Sequence, residues 1–192
     1  MNNKINFNGN FIRPTVVKKI NKDNKYIPHR VSLIQIDTTN QMDIKALRDT
    51  FKIWENDSSI PSFSDIIYED AKQIHDKNYD NGFHKFFVLT NQKKHFYKLN
   101  YNDILAMSEI SAYPHSKKIN IDAIEVHPEH NYWSSKRNFK GIGSAFLDAI
   151  KKVFDGKEIT LRSVPSAIDF YKKNGFHQIT KDSHDLQYLE IK

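Results

Sequence analysis

Two glycines separated by one residue precede an amphipathic segment in the stretch "RNFKGIGSAF", residues 137–146. From Phe146 onward apolar side chains recur at helical spacing, so a helix is predicted to begin just after the glycines. Helix N-termini present unpaired backbone N–H groups and partial positive charge, and glycine lets a ligand approach the backbone closely. Gly141 and Gly143 therefore predict a turn that binds an anionic group such as a phosphate.

Two common phosphate-binding patterns do not fit this turn. The dinucleotide-binding pattern requires a third glycine where this chain has Phe146. The P-loop pattern requires a Gly-Lys-Ser/Thr sequence, which does not follow here. If this turn binds a diphosphate, it must therefore belong to another class of phosphate-binding turn.

The segments that must position the turn alternate between strand and helix patterns. Strands are predicted at residues 29–37, 85–90, 103–113, 118–126, 158–164 and 186–191. Helices are predicted at residues 42–54, 62–74, from 141 onward and at 165–175. The strands between residues 85 and 126 are predicted to form an antiparallel meander. Residues 1–27, rich in Asn and Lys, are predicted to be a partly ordered arm, and residues 28–192 a single domain.

Three of these segments resemble the GNAT superfamily of acyl-CoA-dependent N-acetyltransferases. The family's pyrophosphate loop, Gln/Arg-x-x-Gly-x-Gly/Ala, is similar to residues 138–143, with Asn138 at the Gln/Arg position and Arg137 just before it. "AIEVHPEHN" (123–131) is similar to the family's central strand and its exit, and "SAIDFYKKNGF" (166–176) to its closing helix. The resemblance implies an α/β (α+β) fold: a mixed, mostly antiparallel sheet flanked by about four helices, with acyl-CoA bound where two central strands part.

The resemblance also implies the donor and most of the site. Acetyl-CoA is the expected cosubstrate, with a backbone N–H near Val126 as the oxyanion contact and Tyr171 as the acid that protonates the leaving thiolate. A tyrosine has a pKa of about 10 and a thiol one of about 8.5, so Tyr171 would be protonated at the start of the reaction. The residues expected to bind the cofactor are Val126, His127, Asn138, Phe139, Lys140, Gly141, Ile142, Gly143, Ser144 and Lys173.

The base that takes the proton of the amine is left open between Asp122 and Glu125, with Glu109 on the preceding strand as a further candidate. Successive side chains of a strand point to opposite faces, so Asp122 and Glu125 lie on opposite faces unless a bulge intervenes. The sequence does not choose between them.

Composition excludes some classes of function. The chain has 192 residues, no cysteine and a formal net charge of +6. The absence of cysteine excludes disulfides, thiolate metal sites and a cysteine nucleophile. His127 and His130 match no zinc signature, so no metal cofactor is expected. No segment approaches the roughly 20 apolar residues that span a bilayer, and a soluble, cytoplasmic protein is expected.

Other functions and the partners stay open at this point. The positive charge favours an anionic ligand, but the basic residues form short scattered runs, which argues against nucleic acid. A catalytically silent GNAT-like module that binds CoA or a protein, and a basic protein directed at nucleic acid or tRNA, are the alternatives. The amine acceptor, a small molecule or a protein, would bind near residues 42–80 and 178–186, and the chain would be a monomer or a homodimer.

Overall fold

One mixed sheet forms the centre of the molecule. The computed structural model describes residues 10–57, 62–77, 83–92, 99–130, 134–135, 137–181 and 186–191. In chain order the strands are β1 (Asn10–Ile20), β2 (Tyr26–Gln35), β3 (His84–Thr90), β4 (Ile104–Ser111), β5 (Lys118–Val126), β6 (Phe139–Lys140), β7 (Glu158–Ser163), β8 (His177–Lys181) and β9 (Gln187–Ile191). Their order across the sheet is β6-β1-β2-β3-β4-β5-β7-β9-β8. Within the described residues β5 and β7 are the one parallel pair.

Helices cover both faces of this sheet. They are α1 (Gln41–Asp57), α2 (Phe63–Asp76), α3 (Ile142–Val153) and α4 (Ile168–Lys173). α1 and α2 pack on one face, where Trp54 and Ile67 are fully buried, and α3 packs on the other through Phe146. All eight residues of β4 are buried, because this central strand has a helical layer on each side. The predicted mixed, mostly antiparallel sheet flanked by four helices is confirmed for the described residues.

The N-terminal segment differs from its prediction. Residues 1–27 were expected to be an arm outside the domain, but β1 pairs with β2 along its whole length, from Asn10↔Gln35 to Ile20↔Tyr26. Val17 is buried, whereas Phe11 and Val16 are exposed, and polar residues interrupt the apolar ones. The backbone ladder to β2 orders this segment, and the short, interrupted apolar patch did not predict a strand. β6 and β8 were likewise not predicted, and residues 1–9 lie outside the described residues.

β5 and β7 begin together and then part. They are paired from Lys118↔Glu158 to Ile121↔Leu161, after which β5 continues to Val126 and β7 to Ser163. At the point of separation β5 contains a bulge. Its partner β4 pairs Ile110 with Ile121 and Glu109 with Ala123, which leaves Asp122 as the extra residue.

In the part of the chain that the structure describes, no helix is long and apolar enough to cross a membrane.

Candidate active site

The predicted turn lies at the N-terminus of α3. Gly141 is its N-cap and has a left-handed backbone, with φ 74° and ψ 17°, a conformation that glycine adopts without the strain of a Cβ atom. The first backbone bond of the helix runs from the Ala145 amide to the Gly141 carbonyl, over 2.9 Å. No side chain caps this end. The amides of Ile142, Gly143 and Ser144 therefore have no partner within the helix and form a place for an anion.

Gly143 is required for close packing rather than for its backbone angle. A Cβ atom built on it would lie 2.9 Å from Phe170 Cζ and 3.7 Å from Val126 Cγ2. The absence of a side chain thus lets the first turn of α3 contact both α4 and the end of β5. The two glycines have different functions, one in the turn and one in joining the turn to the gap between the strands.

The residues before the turn are fixed by β1. The Ile20 amide donates to the Asn138 carbonyl over 2.9 Å, and β6 pairs with β1 at Lys18↔Lys140 and Lys19↔Phe139. The Asn138 side chain is exposed. At the family's Gln/Arg position this chain therefore uses the backbone of Asn138 for structure. Arg137 Nε donates to the Phe139 carbonyl over 3.0 Å, which stabilises the same segment.

The other predicted cofactor residues divide into buried and exposed side chains. Phe139 and Ile142 are core residues, 5% and 2% exposed, so only their backbone can reach a ligand. Lys140 is exposed, with Nζ 3.9 Å from the centre of the Tyr26 ring. Ser144 is half-buried in the first turn of α3, and Lys173 is exposed in the last turn of α4.

A cavity of 270 Å³ occupies the gap where β5 and β7 part. Most of its lining is apolar, and its residues are Phe63, Ile121, Asp122, Ala123, Ile124, Leu161, Arg162, Ser163, Val164, Ala167, Tyr171 and Leu186. Tyr171 is 7% exposed, and its ring packs against Phe170 and Phe176 at centroid distances of 5.1 and 5.8 Å. Burial raises the pKa of Tyr171 to about 12, so its hydroxyl keeps its proton at neutral pH.

The end of β5 presents its backbone to this gap. The His127 amide donates to the Leu105 carbonyl of the β4 side over 2.9 Å. Backbone groups of neighbouring residues in a strand point to opposite edges, so the Val126 amide points towards β7, which has already separated from β5. This is the orientation expected of an oxyanion contact. The His127 ring packs on Trp54 of α1 at 5.3 Å, and its Nδ1 accepts from the Glu129 amide over 3.2 Å.

The comparisons with known proteins rest on structure. No protein-family model and no curated protein sequence matches the chain. Solved structures do: a GNAT-family acetyltransferase from Desulfovibrio desulfuricans has a TM-score of 0.57 at 13% identity, covering 84% of this chain and 98% of its own. The chain has the GNAT N-acetyltransferase fold.

Two further structures have the same fold. The PaiA N-acetyltransferase of Thermoplasma acidophilum, in complex with coenzyme A, has a TM-score of 0.52 at 15% identity, covering 84% of this chain and 98% of its own. A chimera of the Vibrio cholerae spermidine N-acetyltransferase SpeG with hSSAT has a TM-score of 0.55 at 13% identity, covering 84% and 94%. At these identities the likeness establishes the GNAT fold.

Within the GNAT fold the two candidate bases have different surroundings. Glu125 Oε2 accepts from Ser62 Oγ over 2.6 Å and from the Ser64 amide over 2.7 Å, at the N-terminus of α2. Burial raises the pKa of Glu125, and the hydrogen bonds from Ser62 and Ser64 oppose this effect. Glu125 does not line the cavity, whereas Asp122 does. Glu125 therefore anchors α2 to β5.

The bulge changes the predicted orientation of these carboxylates. Strict alternation would place Asp122 and Glu125 on opposite faces of β5. Because Asp122 is the extra residue, both side chains lie on the α1–α2 face of the sheet, with Ala123, a member of the core under those helices. Tyr171 belongs to the core on the α3 face. The cavity thus has the acid candidate on one side of the sheet and Asp122 on the other.

Asp122 belongs to a group of ionisable side chains whose proximity the sequence did not predict. His84 Nδ1 is 2.6 Å from Glu109 Oε1, and His84, Glu109 and Asp122 place donor atoms within 4.8 Å of one another. Glu109 is 2% exposed, and burial together with the charges of Asp70 and Asp122 raises its pKa to about 8. His84 lies at the start of β3 and had no sequence signal, because Glu109 and Asp122 are on two other strands, β4 and β5.

Proposed function

We propose that this protein is an N-acetyltransferase that moves the acetyl group of acetyl-CoA directly to a primary amine. The observation that carries the proposal is the junction at Gly143, where the uncapped first turn of α3 meets α4 and the parted end of β5. The cavity with the buried phenol of Tyr171 is lined by other residues of the same β5 and α4. The Thermoplasma PaiA structure, which has the same fold, contains coenzyme A.

The diphosphate of acetyl-CoA would bind to the amides of Ile142, Gly143 and Ser144, where the helix end stabilises negative charge. Its pantetheine arm would follow the edge of β5 that no longer pairs with β7. This binding uses main-chain groups, so it does not require a Gln or Arg side chain at Asn138. Exposed Lys140 and Lys173 add positive charge near the phosphates.

The acetyl group would lie in the cavity between Tyr171 and Asp122. The uncharged amine attacks the thioester carbonyl, and the Val126 amide donates a hydrogen bond to the oxygen that becomes negative. The carbon–sulfur bond then breaks, and the Tyr171 hydroxyl gives its proton to the departing thiolate. Asp122, the carboxylate that lines the cavity, takes the proton of the amine and releases it to solvent, to which it is exposed. The Tyr171 phenolate takes a proton back from water before the next turnover, which its raised pKa favours. Glu125 supports this arrangement by holding α2 against β5.

The acceptor would enter from the face opposite the donor. α3 and its anion site lie on one face of the sheet, whereas Phe63 of α2 and Asp122 line the cavity on the other. A primary amine attached to an apolar group suits a cavity that is lined mostly by apolar side chains around one carboxylate. The cavity lining carries one acidic and one basic side chain, Asp122 and Arg162. This mixed charge is compatible with a small amine or a peptide amine as the acceptor.

Calorimetry with acetyl-CoA, free CoA and ATP tests the donor site. We expect acetyl-CoA and CoA to bind with one-to-one stoichiometry and ATP to bind more weakly, because only the CoA species carry a pantetheine arm. Gly143→Val should weaken both CoA species, since its side chain would displace Phe170. If neither CoA species binds the wild-type protein, the proposal is wrong. A panel of primary amines, followed by release of free thiol, then identifies the acceptor.

A further inference from the structure

Two oppositely charged side chains lie on neighbouring strands at the point where the cavity opens. β5 and β7 run parallel, and Ile121 opposite Leu161 is their last pair. These two residues belong to the core on the α3 face, so the next residues, Asp122 and Arg162, point to the other face, that of α1 and α2. Both line the cavity. An acidic and a basic group therefore lie on adjacent strands of the acceptor face.

Contacts within the sheet hold each of these two charges in place. Asn120 Nδ2 donates to Asp122 Oδ1 over 2.6 Å, which orients the carboxylate. Arg162 is opposite Tyr188 of β9, and its Cζ lies 5.5 Å from the centre of the Tyr188 ring. An aromatic ring beside a guanidinium stabilises its charge without using its N–H donors.

Charged side chains further along this face form pairs of their own. Lys118 pairs with Glu158, and His177 lies 3.0 Å from Glu190. Glu125 accepts hydrogen bonds at the N-terminus of α2. Among the described residues, the charged members of the cavity lining are the aspartate and the arginine at the parting of the strands.

The size of the cavity and these two charges restrict the acceptor. A volume of 270 Å³ lies at the lower limit of ligand pockets, and the thioester must share it with the amine. A second ammonium group, as in a diamine, would lie beside the Arg162 guanidinium and be repelled. A carboxylate would instead be attracted and could accept two hydrogen bonds from the guanidinium. A small zwitterion therefore fits both charges.

Resting on the proposed function, we infer that the acceptor is a small amine that carries its own carboxylate, namely a free amino acid. Its ammonium group binds to Asp122 and its carboxylate to the guanidinium of Arg162. Asp122 removes a proton from the ammonium group, the nitrogen forms the amide bond, and the carbon–sulfur bond of the thioester breaks. The carboxylate does not react. The N-acetylated product has lost its ammonium charge, so one group attracts it instead of two, which favours its release.

A panel of L-amino acids, each compared with its own carboxamide, tests this inference by release of thiol from acetyl-CoA. We expect kcat/KM for the best amino acid to exceed that for its amide about 10-fold to 100-fold, mainly through a lower KM. The amide has the same side chain, and its amine loses a proton more readily because no carboxylate stabilises the ammonium form. A preference for the amino acid would therefore not result from a more reactive amine.

Substitutions of Arg162 test the residue that we assign to the carboxylate. Arg162→Gln should raise KM for the amino acid but not for its amide, and Arg162→Lys should retain part of the preference. Arg162→Glu should reverse the preference and favour a diamine such as 1,5-diaminopentane. Acetyl-CoA affinity should stay unchanged in all three, which also shows that they are folded. Arg48→Gln is the matched control on α1, where Arg48 Nη2 lies 3.1 Å from Asp49 Oδ1, and it should match the wild type.

Several outcomes would overturn the inference. Equal kcat/KM values for amino acids and their amides, or an Arg162→Gln variant that keeps the preference, would reject it and leave the proposed function intact. Thiol release with none of the amino acids would also reject it, whatever other amines react. Failure of the wild type to bind acetyl-CoA would reject both the inference and the proposed function.

Discussion

The two faces of the sheet would bind the proposed substrates with different parts of the chain. On the α3 face the proposed anion site consists of backbone amides and two glycines within residues 141–144. On the α1–α2 face the candidate site consists of side chains from α2, β3, β4 and β5. A backbone site depends on a local turn, whereas a side-chain site depends on the packing of distant segments. Substitutions should therefore affect donor binding and acceptor chemistry separately.

The largest expected effect is on the chemical step itself. Tyr171→Phe removes the hydroxyl that is proposed to protonate the thiolate, and we expect kcat to fall about 100-fold with little change in acetyl-CoA affinity. Tyr68→Phe is the matched control, because Tyr68 is also buried, at 8% exposed, but belongs to α2 and the core on the opposite face of the sheet. Stopped-flow or steady-state release of thiol measures both. Equal rates for the Tyr171 variant and the wild type would remove the tyrosine from the mechanism.

The next effect concerns the stability of the α1–α2 face. Burial raises the pKa of Asp43 from 3.8 to about 6. Because the folded value is above the unfolded one, this group stabilises the fold at acidic pH, and the contribution is lost as pH rises through about 6. Asp43→Asn lacks this loss and keeps an acceptor for the Asp37 amide. Its stability relative to the wild type should rise by about 2 kcal/mol between pH 4.5 and 7.5.

Urea unfolding at both pH values measures this difference in the free energy of unfolding. The contributions of other titrating groups cancel, because the two proteins share them. Acetyl-CoA affinity should not change, because Asp43 lies in the core under α1 and α2, away from the turn. A constant stability difference across the pH range would mean that Asp43 titrates normally in the folded protein.

Substitutions at two glycines distinguish an effect on CoA binding from an effect on stability on the α3 face. Gly141 and Gly156 both have left-handed backbones, with φ 74° and 77°, and at neither would an added Cβ atom have a heavy atom within 4 Å. Gly141→Ala and Gly156→Ala should each lower the free energy of unfolding by about 1 kcal/mol. Only Gly141→Ala should also weaken CoA binding, by about 10-fold, since it distorts the amides at the start of α3. Equal CoA affinities for the two variants would argue against the anion site.

The smallest effect tests how the acceptor face is held together. Ser62 is the N-cap of α2 and donates to Glu125 Oε2 over 2.6 Å. Ser62→Ala should lower the free energy of unfolding by about 1 kcal/mol, or the melting temperature by roughly 2–4 °C. The KM for the amine should rise while CoA affinity stays constant, because Phe63 of α2 lines the cavity. A parallel loss of CoA affinity would show that the two faces are not separable.

The α3 face was predictable because its signals are local. The turn at Gly141 and Gly143 and the helix after it were correctly placed from the sequence, as were the strands on both sides. Their residues satisfy backbone and packing requirements within a short stretch. The roles of the individual residues towards acetyl-CoA stay predictions.

The α1–α2 face was not predictable to the same degree. The sequence left the orientation of Asp122 relative to Glu125 dependent on a bulge, because a bulge is set by the pairing with β4 and not by the residues of β5 alone. His84 and Glu109 are 25 residues apart, and nothing in either segment indicates that they meet. β1 was missed for a related reason, since a strand with an interrupted apolar pattern gains its order from pairing with its neighbour.

The pairing of β1 with β6 connects the proposed CoA-binding turn to a distant part of the chain. Ile20, near the beginning, holds the carbonyl of Asn138, which immediately precedes the turn. A truncation that removes β1, or a fusion partner that pulls it from the edge of the sheet, should raise the Kd for CoA without altering any residue of the turn. Protein prepared for crystallisation or assay therefore needs to retain residues 10–20.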